Sequence, residues 1–272
     1  MLCALLIFGG ERFPGRLTEI SPWLDMQLVD REQVIERLSA QQHRRFIKTH
    51  TPLDGLPFDD RVRYVVVGRD PRDVALSSAH HRANMNGEAF MAAREAVVGI
   101  DDFTVAGAPS TDLPDDPLQH FRVWANPDAE GLQTLRYLVH HLASFWDQRH
   151  RPEIAMFHYQ DLLDDPAGQI TRLAEFLSID LSDGQAEEFA AAASFQQMKH
   201  RADELAPNTD IGIWLDNKSF FHQGTSGRWR DTLDQDSLDY YDERLGALAT
   251  PNLAHWLHHG WLGHPYSADA PS

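Results

Sequence analysis

The stretch Val62-Arg-Tyr-Val-Val-Val67, closed by Gly68 and followed at once by Arg69-Asp70-Pro71, restricts the fold more than any other part of the sequence. A short run of β-branched residues with hardly a polar position is the pattern of a strand buried in a parallel sheet. Gly68 stops it, and Pro71, whose fixed φ suits the first helical position, opens a helix over 72–82. A strand leading straight into a helix is half of a βαβ unit. The pattern recurs with a strand at 154–158 before a helix at 166–177, and a short strand is expected at 45–48. Helices are expected at 32–40 and 131–149, and Ser21-Pro22 reads as the start of another. Strands alternating with helices predict an α/β fold: a doubly wound parallel sheet with helices on both faces, as one domain over 1–272. Residues 84–117, rich in Gly, Ala, Asp and Pro, are expected to form a flexible lid, with 205–218 beside it.

Charge narrows the partners. The 272 residues carry 24 Lys and Arg against 41 Asp and Glu, a net charge of −17 with His neutral. So acidic a chain repels nucleic acid and anionic membrane surfaces, and neither is an expected partner. One cysteine excludes an internal disulfide framework, and a cytoplasmic protein fits that usage. The apolar opening, Met1-Leu-Cys-Ala-Leu-Leu-Ile-Phe8, has no basic residue before it and is too short to span a bilayer. His255, His258 and His259 have helical spacing, but no carboxylate or cysteine completes a ligand set, so no metal is expected.

In an open parallel sheet, ligands bind beyond the carboxyl ends of the strands. Two segments fall there. Phe46-Ile-Lys48-Thr-His50 brings a lysine and a histidine to a strand end. Arg69 stands at the end of the next strand, and Ser77 on the first two turns of the helix after it. An arginine, a hydroxyl and free helix N–H groups make an anion site. Taken singly, Lys-Thr-His is also an ordinary solvated strand end, and Arg69-Asp70 an ordinary turn with a local ion pair.

Several fragments in order say more. Ser21-Pro-Trp-Leu24, Lys48-Thr-His50 and Val67-Gly-Arg69-Asp-Pro-Arg-Asp-Val-Ala-Leu-Ser77 are followed by His158-Tyr159-Gln-Asp161, Ser194-Phe195-Gln-Gln-Met198 and Phe220-Phe221-His-Gln-Gly224-Thr-Ser-Gly227-Arg-Trp229. This succession resembles the cytosolic-type sulfotransferases, which use 3′-phosphoadenosine 5′-phosphosulfate (PAPS) as donor and release 3′-phosphoadenosine 5′-phosphate (PAP). The resemblance covers nearly the whole chain and implies their nucleotide-binding α/β fold. It implies His50 as general base and Lys48 as the cation beside the transferred group. It implies Arg69 and Ser77 as holders of the 3′-phosphate, and Tyr159, Ser194, Phe195 and Met198 as the adenine surroundings. Spacing alone would put Phe195 and Met198 in the core. Phe220, Phe221, His222, Gln223 and Gly224 match the family's later phosphate loop.

The sequence departs from the family twice. His222 and Gln223 stand where the later loop usually carries basic residues, which predicts weaker hold on the 3′-phosphate. The family's first strand and phosphosulfate loop have no counterpart. The apolar opening resembles the helix that follows that loop, so the expected native start lies upstream of Met1. The chain as given is then expected to be weakly active or inactive, with unpaired sheet edges that invite association and leave room for a homodimer. Three readings follow: a PAPS-dependent sulfotransferase acting on a hydroxyl or amine of a small-molecule acceptor; a non-catalytic nucleotide-binding pseudoenzyme or interaction protein of the same fold; and a small-molecule kinase, which the missing Walker lysine disfavours.

Overall fold

The structure is a computed structural model that describes residues 1–23, 25–98, 114, 116–129 and 134–263. Along the chain run α1 (Leu2–Phe8), α2 (Arg31–Ala40), β1 (Tyr64–Gly68), α3 (Pro71–Ala83), α4 (Gly87–Val98), α5 (Pro117–Trp124), α6 (Leu135–Trp146), β2 (Ile154–His158), α7 (Pro166–Leu177), α8 (Gln235–Leu248) and α9 (Pro251–His259), joined by further helical turns. The chain divides into two compact units. The first holds Met1–Thr51, His80–Ala108 and Ile170–Gly224; the second holds Pro52–Ala79, Pro109–Gln169 and Thr225–Ser272.

The second unit contains the sheet. β1 and β2 pair in parallel, with Tyr64 opposite Ile154 and Gly68 opposite His158. β2 is buried along its length, as an apolar strand without alternation should be. β1 differs from expectation: Val66 is buried but Val67 is 54% exposed. Among the described residues the sheet has these two strands only, so β1 is an edge strand whose side chains alternate in burial. Gly68 is fixed by packing, because a Cβ there would overlap the Trp256 ring. Trp256 belongs to a core that also takes Val139, Leu142 and Trp146 from α6 and Tyr241 and Leu245 from α8. α6 supplies its share because Leu135, Val139, Leu142 and Trp146 recur at helical spacing, and Thr134 Oγ1 accepts the Tyr137 N–H at its start.

The first unit has no strand of its own among the described residues. The 45–48 segment expected as a strand makes one isolated parallel bridge, Trp23 to Lys48, and Ile47 is 47% exposed. Ser21 does not open a helix; it closes the short Leu17–Ile20 turn. α2 begins one residue before its expected start, capped by Asp30, whose Oδ1 accepts the N–H groups of Glu32 and Gln33. Leu28, Phe90 and Ile213 form a small core. Within the span expected as a lid, residues 87–98 form α4, and 99–113 and 115 lie outside the described residues. Asn84 clasps the 205–218 segment: its Nδ2 donates to Asp216 O at 2.9 Å, and its Oδ1 and O accept from Asp216 N and Leu215 N. No helix is long and apolar enough to cross a membrane among the described residues.

Candidate active site

The second unit builds its polar cluster around the turn from β1 into α3. Asp70 caps the helix by accepting the Arg72 N–H at 2.9 Å, and its carboxylate takes the Arg72 guanidinium at 2.9 and 2.7 Å. Arg72 lies over the Trp229 ring at 3.6 Å. Asp73, 2% exposed in the first turn of α3, accepts from Gly227 N at 2.6 Å and Ser226 Oγ at 3.0 Å. With this frame fixed, Arg69 at the strand end points where the chain permits. Its Nη2 donates to Thr225 O at 2.9 Å, and its guanidinium lies over the Tyr159 ring at 4.5 Å. Arg69 Nε is buried and has no hydrogen-bond partner. A buried, charged N–H without an acceptor suits an anionic ligand oxygen.

Tyr159 is aimed from behind. His158 ends β2, is buried, and accepts the Gln160 N–H on Nδ1 while Nε2 lies 3.1 Å from Leu257 O. That fixes the proton on Nε2. Burial above all holds the imidazole below its ordinary pKa, so it stays neutral as a structural cap. Asp161, fully buried, accepts the N–H groups of Trp261 and Leu262 and ties the turn after β2 to the end of α9.

The first unit gathers Lys48 and His50 about Trp23. The Lys48 ammonium lies 3.8 Å from the Trp23 ring centroid, and the His50 ring meets the same indole edge-on at 4.7 Å. Asp25 Oδ2 accepts from Thr49 Oγ1 at 2.6 Å, Thr51 Oγ1 at 2.7 Å and His50 N at 3.1 Å. Burial pulls the Lys48 ammonium down to about 8, against the opposing attraction of Asp25. Burial also works to raise Asp25, but the hydrogen bonds from Thr49, Thr51 and His50 outweigh it and hold the carboxyl below its usual range. The outcome is a cation that can act as hydrogen-bond donor or proton donor near neutral pH, beside an exposed imidazole.

Other expected site residues fall in smaller groups. In the first unit Gly224 (φ +65°) packs against Phe195 so closely that a Cβ would overlap its ring. Phe195 is half-buried; Met198 shares its short helix and Ser194 stands at that helix's start. The His222 ring stacks on His80 at 3.6 Å, His80 Nε2 lies 2.9 Å from Ser219 O, and Gln223 is exposed. Phe220 packs between His81, Trp214 and Phe221. In the second unit Ser77 lies half-buried on the second turn of α3. His258, from the C-terminal histidine group, bonds the Tyr241 hydroxyl at 2.8 Å, and burial pushes its pKa down to about 4. Among the described residues no group of His, Cys, Asp and Glu could hold a metal ion.

Asp25 and Asp73 carry no sign of a role in the sequence. Asp73 lies inside the quoted motif, yet its partners are more than 150 residues away. Asp25 follows the Ser-Pro-Trp-Leu block by one residue, and only the fold brings it to Thr49 and Thr51.

Comparison with known proteins gives a consistent picture. The model of the Sulfotransferase domain family matches residues 8–253. A glycolipid sulfotransferase of Mycobacterium bovis is 42% identical over 277 aligned positions, covering 97% of this chain and 84% of that protein. Sulfotransferase 1A1 of Rattus norvegicus is 22% identical, over 84% of this chain and 71% of its own. Among solved structures, mouse sulfotransferase SULT7A1 complexed with PAP superposes with a TM-score of 0.63 at 19% identity, covering 84% of this chain and 74% of the other. A retinol dehydratase in complex with androsterone and PAP gives 0.62 at 24% identity, over 88% of this chain and 74% of the other. These likenesses show the α/β fold that the strand–helix pattern implies.

Proposed function

The chain belongs to the Sulfotransferase domain family, and on that premise we propose that it transfers a sulfuryl group from PAPS to a hydroxyl of a glycolipid or other small-molecule acceptor. The observation that carries this reading is the Lys48–His50 pair, held on one indole with the lysine near pH-neutral poise. PAPS, when bound, supplies the sulfuryl group and a phosphate able to leave. His50 takes the acceptor hydroxyl proton on a ring nitrogen as that oxygen becomes nucleophilic. Lys48 donates hydrogen bonds to the negative charge that builds on the departing side.

Arg69 offers its unpartnered Nε–H to the nucleotide phosphate, with Ser77 as a neutral donor, and Tyr159 braces the guanidinium. Ser194, Phe195 and Met198 border the base. The segment Phe220, Phe221, His222, Gln223 and Gly224 lies along the phosphate with little charge of its own. The glycolipid acceptor rests on the names of the relatives at 41% and 42% identity.

The test is transfer of a labelled sulfuryl group from PAPS to a glycolipid fraction. His50→Ala and Lys48→Met should each lower the rate by roughly 10²–10³-fold. Full activity in both variants would overturn the reading. Calorimetric binding of PAP with no transfer to any acceptor would favour a non-catalytic nucleotide-binding protein, a reading that His222 and Gln223 in place of basic side chains support.

A further inference from the structure

We propose that Asp25 is a positioning residue for the transfer step, its carboxylate fixing the 48–51 turn so that Lys48 and His50 act together. This rests on the reading above that Lys48 and His50 serve the transfer. Secondary structure does not fix this turn. It belongs to no strand, and the single Trp23–Lys48 bridge ends where the turn begins. Residues 49–51 converge on one oxygen, Asp25 Oδ2, which receives two hydroxyls and a backbone N–H at 2.6, 2.7 and 3.1 Å. The Thr49 hydroxyl, while donating to that oxygen, also accepts the Thr51 N–H at 2.9 Å and closes the turn on itself. An exposed aspartate ordinarily spends its lone pairs on water. Here three protein donors converge on it.

The carboxylate is anchored from its own side. Trp23, two residues before Asp25, carries both the ammonium and the imidazole, so one short segment grips the turn from two directions. Just after Asp25, the buried Arg94 of α4 reaches Met26 O and Gln27 Oε1, each at 3.4 Å. Gln27 adopts φ +55°, a left-handed conformation that costs a side-chain-bearing residue energy and persists only when its surroundings impose it. The titratable groups bearing on Lys48 are Asp25, the His50 ring on the same indole, and the Met1 amino group, whose charge Lys48 disfavours. Of these Asp25 alone favours the ammonium.

Asp25→Asn keeps the shape and an acceptor oxygen but removes the charge. It should lower kcat by about tenfold to a hundredfold while the donor KM changes by less than about threefold. The basic limb of the kcat–pH profile should move to lower pH, because Lys48 without its carboxylate loses its proton sooner. A merely structural role would reduce the active fraction and leave that limb in place. NMR titration of isotope-labelled lysine, with Lys48→Met assigning the signal, reads the same shift without turnover. If Lys48→Met abolishes transfer while Asp25→Asn keeps the wild-type kcat and pH limb, the role given to Asp25 is wrong and the functional reading stands. If Lys48→Met and His50→Ala remain fully active, the functional reading fails by itself. An unchanged Lys48 titration in Asp25→Asn then overturns the link between Asp25 and the turn as well.

Discussion

Asp73 and Asp25 each collect a distant stretch of chain, and they do so in opposite settings. Asp73 in the second unit is buried on the first turn of α3, a helix already capped by Asp70, and reaches Ser226 and Gly227 more than 150 residues on. Asp25 in the first unit is exposed, sits in no helix or strand, and holds a turn that has none either. Around Asp73 the hydrogen bonds of α3 fix the backbone, and the carboxylate ties to that helix a loop at 226–227 that lies in no helix or strand. Around Asp25 the carboxylate is itself the main restraint. Loss of the first should therefore register as stability, and loss of the second as geometry at Lys48 and His50.

The largest stability effect belongs to Asp73. Asp73→Ala leaves the half-buried Gly227 N–H and Ser226 hydroxyl without their buried charged acceptor, and should cost about 2–3 kcal/mol in urea unfolding. A loss below about 1 kcal/mol would mean that the helix and loop need no tie, and the contrast would collapse.

Lys48 gives a smaller, pH-dependent effect. Its folded pKa, about 8, lies below the ordinary 10.5, so between those values the unfolded chain binds more protons and stability rises with pH. Below pH 8 the buried charge carries its full penalty. Lys48→Met should thus be more stable than the wild type at pH 7, by up to about 3 kcal/mol, with the gap closing as pH rises toward 10. A constant gap across that range would show that the ammonium is not desolvated.

The smallest stability effect is expected at Asp25 itself. Asp25→Ala should cost less than about 1 kcal/mol, because the donors it releases can turn to water. Equal losses at Asp25 and Asp73, measured by the same urea titration, would erase the distinction between the two sites.

The same contrast explains what the sequence made legible. β1, α3 and α7 are plain from local pattern because each is specified by its own residues: a β-branched run, a Pro at the first helical position, apolar spacing of Ile170, Leu173, Ala174 and Leu177. Arg45-Phe46-Ile47-Lys48 resembled a strand, yet a strand also needs a partner along its length, and Lys48 alone finds one. Exposure of Val67 was hidden for a similar reason, since β-branching does not tell an edge strand from a central one. Arg69 and Tyr159 were legible as types of residue but not as a stacked pair. Asp25 left no mark, because a lone aspartate is common and its meaning arises only when Thr49, His50 and Thr51 fold back onto it. Phe195 is ambiguous between core and site in the sequence; it lies half-buried against Gly224, with the Lys199 ammonium 5.8 Å over its ring.

The division between binding and transfer is tested most directly by measuring PAP affinity and sulfuryl transfer on the same samples of wild type, Arg69→Ala and His50→Ala. Arg69→Ala should weaken PAP by about tenfold or more, as expected for a charge-assisted bond, while His50→Ala holds PAP within about threefold and loses transfer. Undiminished transfer by His50→Ala, or unaltered PAP affinity in Arg69→Ala, would contradict the account.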